Sequence, residues 1–107
     1  MKVKNMTNDL AIELVQFKLA QGKDEKAFLE ASDEMMIDLK KQSGFIDREL
    51  LKGENNLWVD IVHWKSLREA EQAAKNVMSI PSCIEFFEMI NQESIKMMHL
   101  DQVREYK

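Results

Sequence analysis

Asp60 is the residue whose setting most invites chemistry, because it stands in Leu57–Trp64 (LWVDIVHW), a run otherwise nearly all apolar or aromatic. A carboxylate in such surroundings holds its proton more tightly unless a cation or donor pairs with it. Asp60 is therefore a candidate general base, or else an acceptor for backbone or indole N–H groups. By the period of two of a strand, Trp58, Asp60, Val62 and Trp64 share one side, and Val59, Ile61 and His63 share the other. Glu13 lies on the Val15 and Phe17 side of a second apolar segment, where it either shares a proton with Asp60 or forms a rim ion pair with a lysine. His63 and His99 are the only histidines. Neither an HxH nor an HxxxH spacing occurs, so no metal is expected. His99 reads as a pocket acid, base or haem ligand, or as an interface or core histidine. Its facing is open, since Ile95, Met97 and His99 or Lys96, Met98 and Leu100 are equally plausible inward sets. Cys83 is the single cysteine; it excludes an internal disulfide and reads as a small buried hydrophobe.

The elements that position these residues follow from periodicity and breakers. Residues 1–9 lack a pattern and read as a flexible N-terminal tail, leaving 10–107 as one domain. Ala11 to Leu19 alternates as a strand covered on both sides. Asp24 caps a helix running to about Gln42, with Phe28, Ala31, Met35 and Leu39 at helical spacing. Ser43-Gly44 ends it. Phe45–Lys52 and Leu57–Trp64 read as a hairpin around Gly53-Glu54-Asn55-Asn56. Ser66-Leu67-Arg68-Glu69 is a capping-box pattern that opens a second helix, Pro81 interrupts that helix, and Ser82-Cys83-Ile84-Glu85 repeats the cap. Ser94 to Val103 reads as a last strand. The cluster Met35, Met36, Met78, Met89, Met97 and Met98 reads mainly as core packing.

Strand, helix, strand, strand, helix, strand is the split βαβ order of a ferredoxin-like α+β fold, an antiparallel four-stranded sheet with two helices on one face. Both faces of its strands are apolar, which predicts a homodimer packed through the open face. The 107 residues suffice for one domain. Fifteen Lys+Arg against nineteen Asp+Glu leave a net charge of −4, so no nucleic-acid partner is expected. There is neither a signal-peptide pattern nor an apolar run of membrane-spanning length, which, with the lone cysteine, predicts a cytoplasmic protein that does not engage membranes.

Ser43-Gly44-Phe45 before the second strand, Trp64-Lys65-Ser66 closing the third, and the split βαβ order together resemble the antibiotic biosynthesis monooxygenase-like group of dimeric α+β barrels. The resemblance runs from Ala11 to about Val103. It implies that Trp64 is the strand-end tryptophan of that group and that Asp60 occupies the polar position, often Asn, four residues earlier. It further implies that the Asp60 side faces the helices and lines a pocket, and that Val59, Ile61 and His63 face the partner. The tyrosine and arginine of the polyketide-oxidising members have no counterpart here: Ala70 stands near the first, and the last strand offers Lys96 but no arginine before Arg104. The haem-degrading members' residues fall on Val15, Ala74 and Ile84 or Glu85, so no haem and no other cofactor is expected. The expectation is a small cofactor-independent monooxygenase-like protein acting on an aromatic or quinol-type molecule, possible alternatives being a non-catalytic ligand-binding or interaction dimer. Asp60, Trp64 and His99 are its candidate catalytic residues, and Trp58, Phe17, Glu13 and Val15 its candidate substrate-binding residues.

Overall fold

The computed structural model describes residues 3–5 and 10–107. The tail expected over 1–9 lies outside them except for strand β1 (Val3–Asn5), which pairs antiparallel with β6 (Arg104–Tyr106). The main sheet comprises β2 (Ala11–Phe17), β3 (Phe45–Lys52), β4 (Trp58–Trp64) and β5 (Lys96–Asp101), in the antiparallel order β3-β4-β2-β5. Helices α1 (Glu25–Leu39), α2 (Leu67–Asn76) and α3 (Pro81–Glu88) complete an α+β, ferredoxin-like fold.

Local signals explain most boundaries. The Asp24 carboxylate accepts from the Ala27 N–H and starts α1. Asn55 and Asn56 both take positive φ in the β3–β4 turn, a conformation that asparagine tolerates better than most residues. Ser66 caps α2, its hydroxyl accepting from the Glu69 N–H at 3.1 Å. The second cap is a correction. Helix α3 starts at Pro81, whose fixed φ suits a first helical position, and the Ser82 hydroxyl instead donates to Asp38 Oδ2 at 2.6 Å. The expected last strand also begins later, because the Asn91 side chain accepts from Glu93 N–H and holds Gln92–Ser94 in a 3-10 turn.

The core lies between the sheet and the helices. Phe17, Trp58, Val62 and Trp64 from the strands meet Phe28, Met35 and Phe86 from the helices. Phe28 is central, edge-on to Trp58 at 5.0 Å and stacked on Phe86 at 5.0 Å between centroids. Along β4 burial alternates, with Trp58, Asp60, Val62 and Trp64 buried and Val59, Ile61 and His63 half-buried on the opposite face. The methionines divide, with Met36 and Met89 packed against the core as expected. Met35 is in the core, whereas Met78, Met97 and Met98 are exposed, the last two because β5 is an edge strand with a neighbour on one side only.

Candidate functional site

Register fixes which polar residues meet. Glu13 lies opposite His99 across β2 and β5 and opposite Val62 across β2 and β4. Since side chains alternate along each strand, Glu13, Val15 and Phe17, Asp60, Val62 and Trp64, and Met97 and His99 all belong to the helix-covered face. The facing of His99 left open by its sequence is thereby set to the Met97 side, toward Glu13. Glu13 and Asp60 share a face at diagonal positions on the two central strands.

Arg48 joins them from β3, opposite Val62. Its Nε donates to Asp60 Oδ1 at 2.9 Å and its Nη2 to Oδ2 at 2.8 Å, a bidentate pair in which both side chains are almost wholly buried. The guanidinium also lies over the Phe86 ring, 5.2 Å from its centroid. Sequence reading missed this residue. The available signal was its inward position in a hairpin whose turn sets it beside Asp60, the sole cation on that side of β3 apart from Lys52 at the strand's end.

Between sheet and helices lies a cavity of ≈ 300 Å³. Its wall is apolar over most of its extent, with Val15, Phe17, Met35, Val77 and Phe86 among the lining residues, and it is polar where Glu13, Asp60, Arg48 and Trp64 enter. Glu13 is mostly buried, and that burial, reinforced by the charge of Asp60, raises its pKa above the ordinary 4.5 despite the opposing influence of His99 and Trp64. His99 Nε2 stands 3.5 Å from Glu13 Oε1. That is an ion-pair distance, yet His99 Nε2 and Trp64 Nε1 are both buried without a hydrogen-bond partner. Glu13 and Trp64 thus stand at the cavity wall, and His99 stands against Glu13. Each polar atom buried without a partner carries a penalty of about 1–3 kcal/mol.

The other expected residues divide. Phe17 and Val15 line the cavity; Trp58 does not, being packed against Phe28 with the Lys52 ammonium 5.6 Å from its ring centroid. His63 lies on the opposite face, its Nδ1 2.7 Å from Asp47 Oδ1. Burial pushes the Cys83 thiol up, as fits a packing residue. Among the described residues, no three of His, Cys, Asp and Glu come together as a metal site needs, and no helix is long and apolar enough to cross a membrane.

Trp64 is held by the segments that carried the resemblance. Phe45 pairs with Trp64 in register and meets its ring edge-on at 5.8 Å. The Gly44 carbonyl accepts from Lys65 N–H at 2.8 Å, and the Ser43 hydroxyl donates to Glu69 Oε2 at 2.7 Å. Ser43 first, then Ser66 and Lys65, hold the Glu69 carboxyl below its usual range. Gly44 has φ +85°, and a Cβ there would sit 2.6 Å from the Glu69 side chain.

No protein-family profile matches the sequence, and no curated protein matches it significantly. Solved structures do match. A protein from Bordetella bronchiseptica described as a putative antibiotic biosynthesis monooxygenase superposes with a TM-score of 0.74 at 12% identity, over 89% of this chain and 98% of that one. SnoaB, a cofactor-independent oxygenase from Streptomyces nogalater, matches in a variant form with a TM-score of 0.70 at 15% identity, over 86% of this chain and 91% of its own. A Nitrosomonas europaea protein with the same description as the first gives 0.69 at 12%, over 94% and 96%. The sheet and helices that carry Glu13, Asp60, Trp64 and His99 are thus the fold of antibiotic biosynthesis monooxygenase-like proteins.

Proposed function

We propose that this chain is a small cofactor-independent oxidoreductase that binds an aromatic or quinol-type molecule in the cavity between helices and sheet. The observation that carries the reading is the Glu13 carboxyl, with His99 Nε2 3.5 Å away, at the wall of a cavity of ≈ 300 Å³ that is apolar over most of its extent. Trp64, Phe17 and Val15 hold the ligand's ring, and His99 and Asp60 set the charge around it. Once deprotonated, an electron-rich phenol reduces dioxygen itself: one oxygen atom becomes the new carbonyl of a quinone and the other leaves as water. The protein's contribution is a dry pocket and a place for the proton.

The working unit in this reading is a cytoplasmic homodimer. Ile12, Leu14, Val59, Ile61 and Met98 make the sheet's open face largely apolar, and a second copy covers it. A second reading, a receptor without catalysis, draws its support from Asp60, whose two oxygens are both taken by Arg48.

The test is oxygen consumption with a panel of quinols and naphthols. Turnover by the wild type that Trp64→Ala and Asp60→Asn each reduce at least about tenfold, roughly one lost hydrogen bond to a charged group, supports the site. Tight binding without oxygen uptake establishes the receptor. Turnover untouched by both substitutions rules the site out.

A further inference from the structure

We propose that Glu13, positioned by His99, is the group that takes the substrate's hydroxyl proton, and that the ligand is consequently one that presents an acidic hydroxyl to Glu13. This rests on the pocket reading above and specifies which carboxylate does the chemistry and what it selects.

Two carboxylates enter the cavity, and their surroundings separate them. Asp60 has both oxygens occupied by Arg48 Nε and Nη2, so protonating it would leave a buried guanidinium without its counter-ion. Glu13 makes no such pair. The charged groups facing it are His99 from β5, Asp60 from β4 and, behind Asp60, Arg48 from β3. The helix residues around the cavity are apolar, among them Met35, Leu39, Ala73 and Val77.

In the step, the substrate O–H bond breaks, an O–H bond forms on Glu13, and the electron pair stays on the substrate oxygen. The negative charge moves from a carboxylate disfavoured by burial to the substrate oxygen. The transfer thus takes the charge off a buried carboxyl without changing the net charge of the site. An ether or hydrocarbon of the same shape gains nothing from it, so the site selects for a hydroxyl group.

The test uses 4-nitrophenol, whose phenolate absorbs in the visible, at a pH below its own pKa, with 4-nitroanisole as a probe of equal shape that has no proton to give. Titrating wild-type protein into 4-nitrophenol should bring up the phenolate band. Glu13→Gln should bind 4-nitroanisole as the wild type does but give no band. His99→Gln should bind both probes and cut the phenolate-to-phenol ratio about tenfold, one pKa unit of lost support. A phenolate band retained in Glu13→Gln overturns the assignment while leaving the pocket reading intact. Loss of 4-nitroanisole binding in Glu13→Gln overturns it too, because Glu13 would then be shaping the cavity. Failure of the wild type to bind either probe overturns the pocket reading itself.

Discussion

Arg48 grips Asp60 through two parallel hydrogen bonds of 2.9 and 2.8 Å, deep in the face that the helices cover. Removing one partner leaves a buried, uncompensated charge, whereas replacing both with apolar groups removes the requirement altogether. Arg48→Ala and Asp60→Ala should each lower unfolding stability by about 3–5 kcal/mol in urea titrations. The double variant Arg48→Met with Asp60→Leu should recover most of that loss. A double variant as unstable as the sum of the singles would show that the pair is not the unit that matters.

Glu13 makes stability depend on pH with a definite sign. Its folded pKa is raised above 4.5, mainly by burial, so between pH 4.5 and the higher pH at which it ionises in the fold, the native state binds more protons than the unfolded chain. Stability from this group is complete below pH 4.5 and is lost as pH rises through the folded pKa. Glu13→Gln should therefore raise Tm by a few degrees at neutral pH, and the gain should vanish below about pH 4.5. A gain that persists undiminished at low pH would place its origin in packing.

Trp64 separates ring from N–H. Trp64→Phe removes an orphaned donor while keeping an aromatic ring against Phe45, so stability should stay within about 1.5 kcal/mol of wild type. Trp64→Ala should lose about 3–5 kcal/mol to the cavity it opens. If affinity for a phenolic ligand is unchanged in the stable Phe variant, the indole N–H does not contact the ligand.

Gly44 is where two constraints coincide, a positive φ and the closeness of the Glu69 side chain. Gly44→Ala should cost at least about 1–2 kcal/mol from the backbone alone. Adding Glu69→Ala should relieve the crowding and leave the backbone part. Full rescue by that second change would show that sterics alone are at issue.

The open face of the sheet makes the last prediction. Ile61→Asp, on the face away from the cavity, should convert a dimer to a monomer in sedimentation at micromolar concentration. A wild-type protein already monomeric there would remove the dimer from the proposal.

The fold was legible because its cues are local: Asp24 and Ser66 as caps, Asn55-Asn56 as a turn, strict alternation along β4. The site was legible in part. Asp60, Glu13 and Trp64 stood out as polar groups in apolar runs. Arg48 did not, because its meaning depends on a cross-strand register, and His99 was ambiguous because Lys96–Asp101 contains apolar residues on both faces. The Ser82 pattern misled for a related reason: a serine directly after the proline that starts a helix can find a partner across the fold, here Asp38. Trp58 looked like pocket wall by alternation alone, but the cavity ends before reaching it.

Strand β5 has only β2 as a neighbour in the main sheet, and it brings His99 to Glu13 from the far end of the sequence. The pair is therefore a long-range contact, whose loop-closure entropy is met late in folding. A chain emerging from the ribosome has Glu13, Arg48, Asp60 and Trp64 in place to fold before His99 has been made. A chain that stops before Lys96 therefore keeps Glu13, Arg48, Asp60 and Trp64 but lacks the histidine that faces Glu13 across β2 and β5.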